Sequence, residues 1–78
     1  MPIRNTIRRL RFDRDEMTQQ ELADEVGVTR QTINAIEAGK YSPSLEVAFR
    51  IAAIFAVPLE QVFQYDGTPS ETDKSTKV

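Results

Sequence analysis

The sequence predicts an all-α domain of five short helices, with a small two-strand pair formed between the two ends of the domain. Three observations predict it. Apolar residues recur at helical spacing along nearly the whole chain. Thr18, Thr29 and Ser44 stand where helices take their N-caps. Gly27 and Gly39 stand where a helix needs a left-handed residue to stop.

Ile3, Ile7 and Leu10 give the first helical period, so helix one runs from about residue 5 to residue 14, and the polar run Asp13 to Glu16 turns the chain. In "MTQQEL", Thr18 caps while Glu21, three residues on, completes a capping box, and Met17 can pack on Leu22 as a hydrophobic staple. Helix two then spans 19–26, with Leu22, Ala23 and Val26 as its apolar stripe and Gly27 at its end. Thr29 caps helix three, 30–38, which carries Ile33 and Ile36 on one face and closes at Gly39 and Lys40. Helix four runs from its Ser44 cap to about Ala56 and is apolar on most sides, which makes it central, or covered by the fold on one side and by a partner on another. Pro58 opens a last short helix through about Phe63. "VFQYD" alternates like a strand and "PIR" can pair with it. Residues 1–66 thus form one domain, and 67–78, almost without apolar residues, read as a disordered tail.

Composition bounds the function. The chain has 78 residues, 40% of them hydrophobic and 28% charged, and neither cysteine nor histidine. Thiol nucleophiles, imidazole bases and the usual metal ligands are therefore missing, and we expect no enzyme and no cofactor. No stretch approaches the ~20 apolar residues that span a bilayer, and no apolar leader segment opens the chain, so we expect a cytoplasmic protein without membrane contact. A core this small seldom supplies more than about 3–5 kcal/mol, which favours pairing with another chain. The net charge is −2, yet the charge is unevenly placed: Arg4, Arg8, Arg9, Arg11 and Arg14 precede an acidic run from Asp15 to Glu25.

Two short helices joined through a glycine bend make a helix-turn-helix. That arrangement is also a common way to pack helices, so the outer face has to decide. With Ile33 and Ile36 turned inward, positions 31, 34, 35 and 38 face out and Arg30 projects past the helix start. Arg reads guanine O6 and N7, Gln and Asn read adenine N6 and N7, and small Ala35 and Ala38 let the helix sit deep in a major groove. A merely solvated face would carry Glu and Lys pairs instead.

The segment "TQQELADEVGVTRQTINAIEAGK" resembles the helix-turn-helix of the Cro and phage-repressor (CI) type, the Xre family, with Gln19, Ala23 and Gly27 at the small and polar positions and Leu22, Val26, Val28, Ile33 and Ile36 at the apolar ones. The likeness extends over about residues 5–65 and is greatest to short stand-alone regulators. It implies a lambda-repressor-like fold and a transcriptional regulator, most often a repressor, that binds a near-palindromic double-stranded DNA operator. By that likeness Thr29, Arg30, Gln31 and Ala35 read bases, Gln19, Asn34, Lys40 and Tyr41 contact the DNA backbone, and Arg11 and Glu37 form an ion pair between helix one and the recognition helix. Two departures stand out: one additional residue lies within "FDRDE", between Arg11 and Met17, and Ala35 replaces the glutamine of many phage repressors.

One recognition helix carries too little information to find an operator among a genome's roughly million or more competing sites, so a homodimer is expected on half-sites about one helical turn apart. Phe55, Leu59, Val62, Phe63 and Tyr65 are the candidate dimer surface, and completion of the chain's own core is the competing use of the same residues. No small-molecule ligand is evident. Two other readings remain open: a helical protein-interaction module of the coactivator kind, and an antitoxin acting through the segment from Gly67.

Overall fold

The computed structural model of the protein describes residues 3–65. The expected disordered tail, 67–78, lies outside them. In chain order the elements are β1 (Ile3–Asn5), α1 (Ile7–Asp13), α2 (Gln19–Val26), α3 (Arg30–Glu37), α4 (Leu45–Phe55), α5 (Leu59–Val62) and β2 (Phe63–Tyr65). Five helices and a two-strand antiparallel sheet are the predicted architecture.

The helix starts follow the caps. Glu21 N–H donates to Thr18 Oγ1 at 3.0 Å while Thr18 N–H donates to Glu21 Oε1 at 2.8 Å, the reciprocal capping box. Thr29 and Ser44 each accept one backbone N–H at 3.2 Å, from Thr32 and Val47. Gly39, at φ +75°, ends α3: its N–H reaches the Ile36 carbonyl and the Lys40 N–H reaches Ala35, both at 3.0 Å. α4 closes by the same pair of bonds through Ala56, although this residue is not glycine and sits at φ +57°.

The boundaries shift where the strands intrude. Ile3, Arg4 and Asn5 pair with Tyr65, Gln64 and Phe63. A residue cannot serve the ladder and a helix together, so α1 starts at Ile7 and not at residue 5, and α5 ends at Val62, one residue early. α3 stops at Glu37, with Ala38 as its cap.

The core is drawn from every helix: Ile7, Leu22, Val26, Ile33, Ile36, Ile51 and Val62 are at most 2% exposed. Each such side chain contributes about 1.5–3 kcal/mol of transfer free energy. This burial bears on the expected dimer surface. Val62 is wholly buried and Phe55 is 8% exposed, because the short α5 packs across α4 and needs both to close the protomer's own core. Leu59 and Phe63 are half-buried against that core, which leaves Tyr65 as the exposed member of the five.

The additional residue between Arg11 and Met17 is absorbed after α1. Asp15 and Glu16 both take left-handed backbone, φ +59° and +54°, and the chain folds back so that Met17 N–H donates to the Arg11 carbonyl at 2.9 Å. The loop bulges while the register of Arg11 is preserved. The Arg14 guanidinium secures the bulge on the Ile54 carbonyl.

Candidate nucleic-acid interface

α3 is held at one end and left open at the other. At its C-terminal end, Arg11 Nε donates to Glu37 Oε2 at 2.6 Å and Arg11 Nη2 to Glu37 Oε1 at 3.0 Å, a two-bond fork. The two side chains are 15% and 9% exposed. Arg11 Nη1 also donates to the Met17 carbonyl at 2.7 Å, so one guanidinium joins α1, the loop and α3. Gln19 Nε2 adds a bond to Glu37 Oε1 at 3.2 Å, and Asn5 Nδ2 donates to the Ile36 carbonyl at 3.0 Å. The last turn of α3 is thereby tied to β1, α1 and α2.

The outward face of α3 has the opposite character. Ile33 and Ile36 face the core, while Arg30, Gln31 and Asn34 are exposed and make no side-chain hydrogen bond or ion pair among the described residues. Ala35 is half-buried at the edge of the face, so it keeps the helix slim and offers little more than its methyl group. Thr29 is exposed, but its hydroxyl is engaged with the Thr32 N–H and lies 3.0 Å from the Thr32 hydroxyl. Free donors and acceptors along an exposed helix start are what reading base edges requires.

The backbone candidates fall into two groups. Gln19 and Asn34 line one open notch with Asn5, Arg8 and Arg11, beside the C-terminal half of α3. Lys40 and Tyr41 are exposed after α3, and Tyr41 borders a narrow groove shared with Ile3 and Phe63 on the β-pair. Gln19 is half-buried and already bonded to Glu37, so it serves the anchor whatever else it touches. Arg8, which the sequence reading left out of the site, is exposed and carries no ion pair among the described residues. Its place one turn before Arg11 was the signal available for it.

Charge is segregated despite the negative total. Asp13, Asp15, Glu21 and Glu25, with Arg14 among them, line a depression between the loop after α1 and α2 that includes no residue of α3. Beside α3, the acid Glu37 is neutralised by Arg11, which leaves Arg8, Arg30 and Lys40 as cations around that surface. Among the described residues no group of His, Cys, Asp and Glu could hold a metal ion, and no helix is long and apolar enough to cross a membrane.

The sequence profile described as helix-turn-helix matches residues 7–62. An uncharacterized HTH-type transcriptional regulator of Methanocaldococcus jannaschii is 56% identical over 50 residues, which are 64% of this chain and 76% of the relative. The uncharacterized HTH-type transcriptional regulator YgzD of Bacillus subtilis is 44% identical over 61 residues, 78% of this chain and 91% of the relative. The cryptic phage CTXphi transcriptional repressor RstR of Vibrio cholerae is 33% identical over 72 residues, 92% of this chain and 64% of its own length. Among solved structures, a hypothetical transcription factor from Neisseria superposes with a TM-score of 0.65 at 25% identity, covering 92% of this chain and 76% of that one. Fold and relatives agree: the chain belongs to the Xre, or Cro/CI-type, family of helix-turn-helix proteins, a family of DNA-binding transcriptional regulators and not of enzymes.

Proposed function

We propose that the protein is a sequence-specific repressor that binds a near-palindromic operator as a homodimer, with α3 in the major groove of each half-site. The observation that carries this reading is the division of α3: a fixed C-terminal turn beside an exposed outer face whose Arg30, Gln31 and Asn34 have no partner within the described chain. Arg30 and Gln31 read bases, Ala35 and Thr29 border them, and Arg8, Gln19, Asn34, Lys40 and Tyr41 hold phosphate or sugar on either side. Repression is supported by the likeness to the phage repressor. The unpartnered reading face disfavours the coactivator-like alternative, which has no use for it.

Selection from a random double-stranded DNA library at physiological salt tests this, with Arg30→Ala in parallel. The expected product is an inverted repeat with half-sites about 10 base pairs apart. Loss of Arg30 is expected to cost about 1–3 kcal/mol of discrimination at one base position of each half-site. A folded wild-type protein that enriches no sequence, or a mutant with unaltered preference, overturns the assignment.

A further inference from the structure

We infer that a second copy of this chain docks on the outer face of α4, the two helices running antiparallel about a twofold axis near Phe49. This rests on the dimer reading above and gives the dimer its location. Four of the five C-terminal residues first considered for pairing are in the protomer's core or half-buried against it. α4 instead has an apolar face left over. Ala48, Ile51, Ala52 and Phe55 turn inward, while Leu45 and Phe49, 68% and 53% exposed, stand with exposed Ala53 at i, i+4 and i+8. That spacing makes one continuous stripe about 12 Å long.

The stripe fits itself when reversed. Antiparallel pairing centred on Phe49 sets the large Leu45 against the partner's small Ala53 and brings the two Phe49 rings together at the axis. Charge fixes the direction. Glu46 and Arg50 lie one turn apart along one flank of the stripe, paired at 2.6 Å within the helix. In an antiparallel pair the two charged flanks come to the same side and Glu46 of each copy lies near the partner's Arg50, whereas in a parallel twofold pair the flanks fall on opposite sides and do not meet. Arg50 is already positioned, because its Nη1 donates to the Val26 carbonyl at 3.1 Å. An apolar stripe that meets its own small residue on reversal, with a charged flank that pairs with its own copy, favours a second copy of this chain as the occupant.

The chain contains no cysteine, so single cysteines report proximity without background. We expect the wild type to sediment as a dimer, with and without its selected DNA, and Phe49→Cys to form a disulfide-linked dimer under mild oxidation while Tyr65→Cys does not. A mixture of Leu45→Cys with Ala53→Cys is expected to link, and each alone is not. Phe49→Glu, at a half-exposed helical position, is expected to keep its helical circular dichroism and weaken dimerisation at least tenfold. A dimer that persists in Phe49→Glu, or that links through Cys at 65 and not at 49, overturns the α4 contact and leaves the dimeric regulator standing. A wild type that stays monomeric at every concentration, on DNA as well as off it, and never links, overturns both.

Discussion

Removing either member of the Arg11–Glu37 pair should cost far more than an average surface substitution, and the structure gives the size. Glu37→Ala takes from Arg11 two charge-assisted bonds, 2.6 and 3.0 Å long, and leaves a guanidinium 15% exposed with the Met17 carbonyl as its partner. Each such bond contributes about 1.5–3 kcal/mol, and stranding a buried charge costs about 3–5 kcal/mol; with an edge of the pair reaching water, about 3 kcal/mol is expected. Arg11→Ala should cost about as much, since it leaves Glu37 to Gln19 alone. The double variant leaves no stranded charge and should lose clearly less than the sum, with a coupling of about 2–3 kcal/mol. Urea unfolding followed by circular dichroism measures all four corners of the cycle, provided the slope with denaturant is unchanged. Against a stability of roughly 4–12 kcal/mol for a chain of this length, the singles should unfold at visibly lower urea. Singles that lose less than about 1 kcal/mol, or a double equal to their sum, would refute the reasoning. Asp13→Ala is the internal control. Its partner Arg9 lies 3.8 Å away with both side chains largely exposed, so little change is expected there.

Ala56→Gly should stabilise by about 0.5–1 kcal/mol, because φ +57° strains an L-residue and the closing bonds of α4 are already those a glycine would make; a lowered melting temperature would contradict it. Thr18→Ala should lose about 1 kcal/mol in the same melting assay through the capping box, and Thr18→Ser should recover most of it. Arg8→Ala should weaken binding to all DNA sequences alike and make the dependence of log K on log salt shallower by about 0.9 per subunit, measured by fluorescence anisotropy. A change in sequence preference with an unaltered slope would place Arg8 on a base and not on phosphate.

Most of the fold was readable because its signals are local. A cap and its box partner lie three residues apart, and a glycine in a bend acts within its own turn, so α2 came out at the predicted bounds and α3 within a residue. What could not be read was set by contacts distant in sequence. β1 truncates α1 because Asn5 pairs with Phe63 at the far end of the domain, and no local window contains both. Phe55 and Val62 have the same apolar character whether a partner or the protomer covers them; only the packing of α5 on α4 gives them to the protomer. Of the site, the Arg11–Glu37 pair followed from the resemblance in spite of the additional residue between Arg11 and Met17. Asn5 was missed, since a short polar side chain that bonds a distant helix carbonyl looks like any turn residue. Leu45 and Phe49 were visible as apolar, but which side of an almost wholly apolar helix remains uncovered is a property of the assembled fold.

The anchoring of α3 also bears on how so acidic a protein could recognise a polyanion. With net charge −2 and few cations around the proposed reading face, long-range attraction can supply only a modest share of the affinity. The remainder must come from contacts that lose little on being ordered. Arg11, Gln19 and Asn5 fix the last turn of α3 before any ligand arrives, and the Thr29 cap fixes its first, so the backbone of the helix is ordered in the free protein. Binding then has to immobilise a few side chains, at about 0.5–1.5 kcal/mol each, and not a helix. The same economy explains why an acid on α3 itself is tolerated: Glu37 is held by Arg11 in a nearly dry fork, where it serves as the fastening point and presents little free charge to phosphate.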